Sequence, residues 1–231
     1  MKPNTFDQID QYKWISNFIA DKSLEWMMAR PVFAIDKNDF QYMNANTNRS
    51  LFLLSDEILS RLDPNQTYIN IGTGGGFLEY INKRKYKLEM ETCDLPPNKI
   101  NPLYRFIQKE LKVKLTIHIG WMRNKDATDL TIGSATHKYG VNKKINPWDH
   151  KDNRHFQHRK WDTAIFNRFV PLRKTLVSKQ NIESFNKHMK KYVDNIIIYT
   201  FIDSYPDLNL FPKNSITEIS GDNTYKIEYS I

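Results

Sequence analysis

The feature that most constrains this chain is a cluster of glycines directly after a short apolar run. Tyr68 to Ile71 has the composition of a buried strand, and Gly72-Thr73-Gly74-Gly75-Gly76 comes next. Glycine adopts positive φ without a steric penalty and lets a ligand approach the main chain closely. Residues 76–84 can form a helix, whose first N–H groups are available to a carboxylate or a phosphate. This order predicts a ligand-binding turn between a strand and a helix.

Short apolar runs alternate with helical patterns through the rest of the chain. The length of 231 residues fits one α/β domain. Strands and helices in alternation, followed by a terminal hairpin, are typical of a mostly parallel, doubly wound sheet with helices on both faces, and we predict that fold class. The predicted strands are 68–71, 88–93, 113–119, 161–166 and 196–201, the helices include 101–111 and 182–192, and the hairpin turns at 221–223.

The pattern divides the chain into a helical start and an α/β remainder. Apolar residues recur at helical spacing within residues 1–65, which predicts a helical N-terminal cap, and residues 66–231 form the predicted α/β domain. Residues 124–160 are polar and too long for a simple connection, so we expect an insertion there. Core positions are expected for the large apolar side chains of the first helix, which are Trp14, Phe18, Trp26 and Met27.

The chain carries a formal net charge of +8, from 34 Lys and Arg against 26 Asp and Glu. Such a balance is an electrostatic footprint of nucleic-acid binding, but it is not a motif. Lys, Asn, Ile and Tyr, the residues of A/T-rich codons, are all abundant, and acidic residues interrupt the basic ones along the chain. Nucleic acid is therefore a possible partner that the sequence does not favour.

Composition also excludes several classes of protein. A hydrophobic content of 40% with 26% charged residues is that of a folded chain. No apolar run approaches the ~18 residues of a membrane span, and the first residues lack the pattern of a signal peptide. Cys93 is the only cysteine, which excludes an internal disulfide and a cysteine-based zinc site. We expect a cytoplasmic protein without a membrane partner.

A carboxylate stands at the end of the second predicted strand. Asp94 comes 22 residues after Gly72, where an acidic side chain can accept hydrogen bonds from the hydroxyls of a ribose. The dinucleotide fingerprint G-x-G-x-x-G needs a third glycine where this chain has Phe77. The glycines are instead spaced as Gly72-x-Gly74-x-Gly76, and no Lys-Ser/Thr pair follows them as in a Walker loop. The spacing indicates a nucleoside-containing cofactor.

With this spacing the segment resembles the first motif of the class I S-adenosylmethionine-dependent methyltransferases, in which an acidic residue precedes x-G-x-G-x-G. The resemblance covers roughly residues 67–201 and implies a Rossmann-like, seven-stranded sheet closed by an antiparallel hairpin. Cys93-Asp94-Leu95-Pro96-Pro97 is similar to a D-L-P segment of a largely uncharacterised bacterial and viral group of that family. The chain departs from the pattern at Asn70, where the family has its acid.

The resemblance implies S-adenosylmethionine as the cofactor and a role for each matching position. The three alternate glycines would wrap the methionine part, and Asp94 would hold the ribose. Trp121 and Met122, just after the third predicted strand, would enclose the adenine, and the end of the strand at 161–167 would face the transferred methyl. The implied cofactor-binding residues are Asn70, Gly72, Thr73, Gly74, Gly76, Asp94, Leu95, Trp121, Met122 and Asn167.

Methyl transfer from a sulfonium is an in-line displacement that requires mainly alignment and a deprotonated acceptor. Candidate catalytic residues are Asn167 and Arg168, at the sheet edge where such folds bind ligands, and His137, since histidine exchanges a proton near neutral pH. Phe40 and Tyr42 are candidates to cap the acceptor. No metal site is predicted, because the spacing of three histidines in the insertion matches no recognised zinc pattern, at His150, His155 and His158.

The sequence therefore predicts a methyltransferase with a small-molecule acceptor. No Asn/Asp-Pro-Pro-Tyr/Phe follows the strand that ends at Asn167, which argues against methylation of adenine or cytosine amino groups. Cys93 is not preceded by proline, as the nucleophile of a cytosine-C5 enzyme would be. Two alternatives stay open: a non-catalytic nucleic-acid-binding protein on the same scaffold, and a nicotinamide-dependent oxidoreductase, against which Phe77 argues.

Overall fold

The computed structural model of the chain describes residues 11–31, 35, 37–94, 101–113, 117–123, 130–134, 161–167, 176, 178–201, 208–219 and 224–231. At residues 37, 38, 93, 94, 117–123, 130–134, 184, 188, 201 and 224 it describes the backbone alone. Within these ranges no helix has the length and hydropathy needed to cross a membrane.

The strands of the described residues form one mixed sheet. They are β1 (Tyr68–Ile71), β2 (Met90–Asp94), β3 (Ile117–Arg123), β4 (Leu130–Ser134), β5 (Trp161–Asn167), β6 (Val193–Phe201), β7 (Ile216–Ile219) and β8 (Thr224–Ser230). Their order is β4-β3-β2-β1-β5-β6-β8-β7. The five strands from β3 to β6 in that order are parallel, while β4 at one edge and β8 and β7 at the other are antiparallel.

Five α-helices and four shorter helical turns are described. The α-helices are α1 (Lys13–Met28), α2 (Ala45–Ser60), α3 (Phe77–Ile81), α4 (Pro102–Glu110) and α5 (Lys179–Met189). A π-helical turn, Asn82–Tyr86, continues α3, and 3-10 turns lie at Lys37–Met43, Leu208–Leu210 and Lys213–Ser215.

The chain divides into two compact units, each described by itself. The helical unit comprises Met1–Asp63, Thr73–Leu88 and Ile100–Lys114. The sheet unit comprises Pro64–Gly72, Glu89–Lys99 and Leu115–Ile231. The chain passes from the sheet unit to the helical unit between Gly72 and Thr73, within the glycine cluster.

The core of the sheet unit lies along the parallel strands. All four residues of β1 are buried, as expected for a central strand covered on both faces. Phe166 of β5 packs against Phe185 of α5 with ring centroids 5.6 Å apart. Asp162 anchors the start of β1 to β5, because its Oδ2 accepts hydrogen bonds from the Thr67 N–H at 2.7 Å and the Thr67 hydroxyl at 2.9 Å. These contacts fix the register of the two strands next to the site.

The helical unit has an aromatic core. The Phe52 ring of α2 stacks on Tyr12 at 5.5 Å between centroids and meets the Phe77 ring edge-on at 4.6 Å. Beside it, the buried Asp56 carboxylate accepts hydrogen bonds from the Lys85 ammonium at 2.8 and 2.9 Å and from the Tyr86 hydroxyl at 2.7 Å. Burial and this bond to Asp56 raise the pKa of Tyr86.

Both ends of α4 follow from local sequence. Asn101 is the N-cap: its Oδ1 accepts from the Leu103 N–H at 2.8 Å, and Pro102 occupies the first turn. At the other end Lys112 has a φ of 54°, and the Val113 N–H donates to the Gln108 carbonyl at 2.9 Å. This is a Schellman motif, in which the residue after a left-handed C′ position bonds back to the last turn of the helix.

The structure differs from the sequence prediction in the strands. The sheet has eight described strands rather than seven, because β4 lies inside the predicted polar insertion of residues 124–160 and pairs with β3. The third strand was predicted from Val113, but Val113 belongs to the end of α4 and β3 begins at Ile117. Trp121 and Met122 therefore lie within β3 and not after it. The one α-helix described in the sheet unit, α5, packs on the sheet core, and helices on both faces stay a prediction.

Two other predictions have mixed outcomes. The mostly parallel α/β sheet with an antiparallel C-terminal hairpin is confirmed, since β7 and β8 pair around residues 220–223. In α1, Trp26 and Met27 are buried as predicted, but Trp14 is 70% exposed and stacks on Phe18 at the surface of the helix. Helical spacing does not distinguish the inner face of a helix from an outer aromatic pair.

Candidate functional site

The glycine turn, residues Gly72–Gly76, follows β1 and has an unusual backbone. Its alternate glycines have positive φ: 87° at Gly72, 54° at Gly74 and 81° at Gly76. A side chain is strained in this region of φ, and the strain grows with distance from the left-handed helical minimum near 57°. Glycine is therefore favoured at all three positions, most strongly at Gly72 and Gly76, whose φ lies furthest from that minimum.

Hydrogen bonds hold the glycine turn in this conformation. The Gly76 N–H donates to the Thr73 carbonyl at 3.0 Å, which closes the turn, and the Gly76 carbonyl accepts from the Tyr80 N–H at 3.0 Å as α3 begins. The side-chain Nε2 of Gln108, in α4, donates to the Gly74 carbonyl at 2.6 Å. The turn is therefore tied both to the helix that follows it and to a helix 34 positions further along the chain.

Space around the turn is uneven. A Cβ on Gly76 would lie 3.2 Å from Val113 Cγ2, and one on Gly75 would lie 3.0 Å from Cε2 of Phe77. A Cβ on Gly74 would have no heavy atom within 4 Å among the described residues, apart from its two chain neighbours. The turn is packed at Gly75 and Gly76 and open at Gly74, so Gly74 is where another molecule can lie directly against the main chain.

Two predicted site residues carry buried polar atoms without a hydrogen-bond partner in the described part of the chain. In the helical unit this atom is the hydroxyl of Thr73, a residue only 7% exposed. In the sheet unit it is Oδ1 of Asn167, the last residue of β5. Most buried polar atoms in proteins have a partner, so each of these atoms is suited to a bond with a ligand.

The sheet register places three predicted residues at one level. Ile71, the last residue of β1, pairs with Cys93 of β2 and with Phe166 of β5. Each of these three residues is followed in the chain by a predicted site residue: Ile71 by Gly72, Cys93 by Asp94, and Phe166 by Asn167. Strand order reverses between β1 and β5, and open α/β sheets bind ligands outside the carboxyl ends of the strands at that point. Asn70, the residue before Ile71, is buried within β1.

Trp121 and Met122 lie beyond the carboxyl end of β2. Parallel pairing of β2 and β3 ends at Asp94 and His118, and β3 continues in antiparallel pairing with β4, where Trp121 pairs with Ile132 and Met122 with Thr131. At ~3.3 Å per residue, Trp121 is about 10 Å past the end of β2. The two predicted adenine-binding positions thus belong to a two-stranded extension of the sheet.

Other predicted residues lie elsewhere. Tyr42 is buried, with its ring 5.3 Å from that of Tyr104 and 6.3 Å from that of Phe77, so it belongs to the aromatic core of the helical unit, while Phe40 is 54% exposed. The residues that fall outside the described part are Leu95, His137, His150, His155, His158 and Arg168. Among described residues, no group of His, Cys, Asp or Glu is arranged to hold a metal ion.

The sequence analysis missed Gln108, which contacts the glycine turn directly. Gln108 is buried, one turn from Tyr104 and from Leu111 on the apolar side of α4. A polar residue at a position where helical spacing calls for an apolar one was the available signal. Its partner on the turn could not be found from the sequence alone.

No protein-family model matches the sequence, and neither does any curated protein. Several solved structures are similar to the chain. A mutant of MtNAS in complex with S-adenosylmethionine is 14% identical, with a TM-score of 0.46 over 95% of this chain and 76% of its own. TrmK of M. capricolum, in complex with S-adenosylhomocysteine, is 16% identical, with a TM-score of 0.39 over 76% of this chain and 66% of its own.

An O-methyltransferase family protein from Burkholderia thailandensis is 12% identical, with a TM-score of 0.44 over 96% of this chain and 70% of its own. The similar structures therefore include proteins of the class that the sequence resembles. All three TM-scores lie below 0.5.

Proposed function

We propose that this chain is an S-adenosylmethionine-dependent methyltransferase that binds its cofactor at the glycine turn after β1. The observation that carries the proposal is the backbone of that turn: positive φ at Gly72, Gly74 and Gly76, with open space at Gly74. A turn built this way at the end of a central parallel strand lets a ligand contact the main chain without meeting a Cβ.

The residues present fit the proposed cofactor. The glycine turn would receive the methionine part, which carries a carboxylate and an amine that need polar partners, and the buried Thr73 hydroxyl is one such partner. The carboxylate of Asp94 would hold the ribose, as the resemblance implies. Asn167 Oδ1 is an acceptor for an N–H or O–H of the cofactor or of the methyl acceptor.

The chain's contribution to the reaction would be alignment. When bound, the cofactor supplies an electrophilic methyl on a sulfonium. The glycine turn would fix one end of that molecule through main-chain contacts. Because Asn70 replaces the acid of the family pattern, a bond there would be neutral and weaker than a charge-assisted one.

We propose a small molecule as the methyl acceptor. The chain lacks the Asn/Asp-Pro-Pro-Tyr/Phe and Pro-Cys motifs of the base-methylating enzymes considered above. Its positive charge is spread along the sequence and interrupted by acidic residues. A nucleic acid acceptor would predict affinity for RNA or DNA that falls steeply with salt.

Isothermal titration of the purified chain with S-adenosylmethionine and S-adenosylhomocysteine tests the proposal. We expect saturable binding of both at one site. The Gly74→Asn variant tests the site directly. Asparagine tolerates left-handed φ and so keeps the turn, while its side chain enters the open space at Gly74. It should abolish binding.

The matched control is Lys87→Asn. Lys87 also has left-handed φ, 57°, in the same helical unit, so this variant places an asparagine in the same backbone conformation at a residue outside the turn and should bind normally. Absence of binding to the unchanged chain, or unchanged affinity in Gly74→Asn, would overturn the proposal. Binding of reduced nicotinamide cofactor in place of S-adenosylmethionine would support the oxidoreductase alternative instead.

A further inference from the structure

Gln108 is a buried side-chain amide directed at the glycine turn. It is 6% exposed, and its Nε2 donates to the Gly74 carbonyl at 2.6 Å. Both residues belong to the helical unit. The contact therefore joins α4 to Gly74, where an added Cβ would meet no atom of the described residues within 4 Å.

The end of α4 supports the turn at a second point. The Schellman motif that closes the helix bonds the Val113 N–H to the Gln108 carbonyl at 2.9 Å. It places Val113 so that its side-chain carbons would lie 3.2 and 3.3 Å from a Cβ on Gly76. Gln108 thus holds the turn by a hydrogen bond at Gly74, and Val113 packs beneath it at Gly76.

The hydrogen bond has a consequence for the main chain beyond Gly74. The carbonyl of Gly74 and the N–H of Gly75 belong to one planar trans peptide, so they point in opposite directions. Because both flanking residues are glycines, this peptide could rotate at low steric cost. By holding the carbonyl, Gln108 fixes which way the Gly75 N–H points.

We infer that Gln108 is a positioning residue for cofactor binding: it holds the Gly74–Gly75 peptide in the orientation that the cofactor contacts. The inference rests on the proposed function, since it concerns the same turn. It adds a residue that touches no reacting atom and acts through the main chain of Gly74. Without the bond, the turn would populate other peptide orientations, and cofactor binding would have to select the competent one.

The test compares two substitutions of similar size. Gln108→Met removes the donor, and we expect the dissociation constant for S-adenosylmethionine to rise about tenfold or more. Gln108→Glu replaces the donor by a group that donates only when protonated. Because burial raises the pKa of a carboxyl above its ordinary value of about 4.3, the affinity of Gln108→Glu, relative to the unchanged chain at each pH, should fall as the pH rises from about 4 to 9. If Gln108 only filled space, Gln108→Met, which has a similar size, would bind S-adenosylmethionine as tightly as the unchanged chain.

The matched control is Asn48→Leu. Asn48 is also a buried amide of the helical unit, and its Nδ2 donates to the Tyr42 carbonyl at 2.8 Å and not to a residue of the turn. This variant should lower the melting temperature but leave the dissociation constant unchanged. If Gln108→Met does not fold, the pH series of Gln108→Glu decides.

The outcomes separate this inference from the proposed function. Failure of the unchanged chain to bind S-adenosylmethionine overturns both. Normal binding by the unchanged chain, together with equal binding by Gln108→Met or a flat relative pH series for Gln108→Glu, overturns the role of Gln108 alone. Weakened binding in both variants, with Asn48→Leu unaffected, supports it.

Discussion

Alanine substitution at two glycines of the turn separates backbone strain from crowding. Gly74 and Gly76 both have positive φ, 54° and 81°. They differ in their surroundings, because a Cβ on Gly74 would meet nothing within 4 Å whereas one on Gly76 would lie 3.2–3.3 Å from three carbons of Val113. Gly74→Ala therefore introduces strain alone, and Gly76→Ala introduces strain and overpacking.

The expected magnitudes follow from these two terms. A non-glycine residue in the left-handed region costs about 1–2 kcal/mol, and Gly74→Ala should lower the free energy of unfolding by about that amount. Overpacking adds roughly 1–3 kcal/mol, because Val113 belongs to the closed end of α4 and its backbone is held by the bond to Gln108. We expect Gly76→Ala to be the more destabilising of the two by at least about 1 kcal/mol.

Urea denaturation followed by far-UV circular dichroism measures both values. The Val113→Ala background provides the control, since it removes both γ-carbons and should recover part of the loss in Gly76→Ala but none in Gly74→Ala. If Gly74→Ala is as destabilising as Gly76→Ala, or if Val113→Ala rescues neither, the packing of α4 beneath the turn is not as we describe it.

Three further predictions concern single side chains. Thr73→Val removes a buried hydroxyl that has no partner among the described residues, so thermal unfolding should show equal or higher stability. Titration calorimetry should show weaker binding of S-adenosylmethionine. Lower stability would mean that the hydroxyl has a hydrogen-bond partner within the chain. Asp56→Asn should lower the free energy of unfolding, measured by urea denaturation, by about 2 kcal/mol. This is less than for a fully buried ion pair, because the Lys85 side chain is 38% exposed. An unchanged free energy of unfolding would contradict the ion pair. Burial raises the pKa of Tyr192 to about 12. Between about pH 10 and 12 the folded state keeps the phenol proton of Tyr192 and the unfolded state loses it, so the free energy of unfolding should fall as the pH rises. Urea denaturation at several pH values in this range should show a smaller fall for Tyr192→Phe.

The glycine turn was the most predictable part of the molecule. A spacing of alternate glycines after a strand has few physical causes, and positive φ at each of them is confirmed. The central strands were also predictable, because β1, β5 and β6 each contain a short buried segment rich in apolar residues. The cap at Asn101 and Pro102 uses side-chain chemistry that acts within one helical turn and so can be seen in sequence.

Predictions failed where one sequence pattern is compatible with two local structures, or where an element depends on pairing with a distant segment. Val113 begins an alternating apolar pattern and was assigned to a strand, yet the left-handed turn at Lys112 makes it the end of a helix. β4 is a short run whose only strong feature is its pairing with β3, which the sequence does not encode locally. Trp14 has the spacing of a core residue and lies at the surface.

Gln108 shows why the rest of the site could not be predicted from sequence. A leucine at this position would suit the apolar side of α4, and a buried neutral hydrogen bond contributes only about 1 kcal/mol to stability over its cost of burial. The benefit of the amide therefore lies less in stability than in selecting one conformation of a turn that glycine makes flexible. The same reasoning applies to the open space at Gly74 and to the Thr73 hydroxyl, neither of which stabilises the chain by itself. All three become favourable together if a ligand occupies the turn, which is why binding, rather than stability, is the measurement that decides between a cofactor site and an unusual loop.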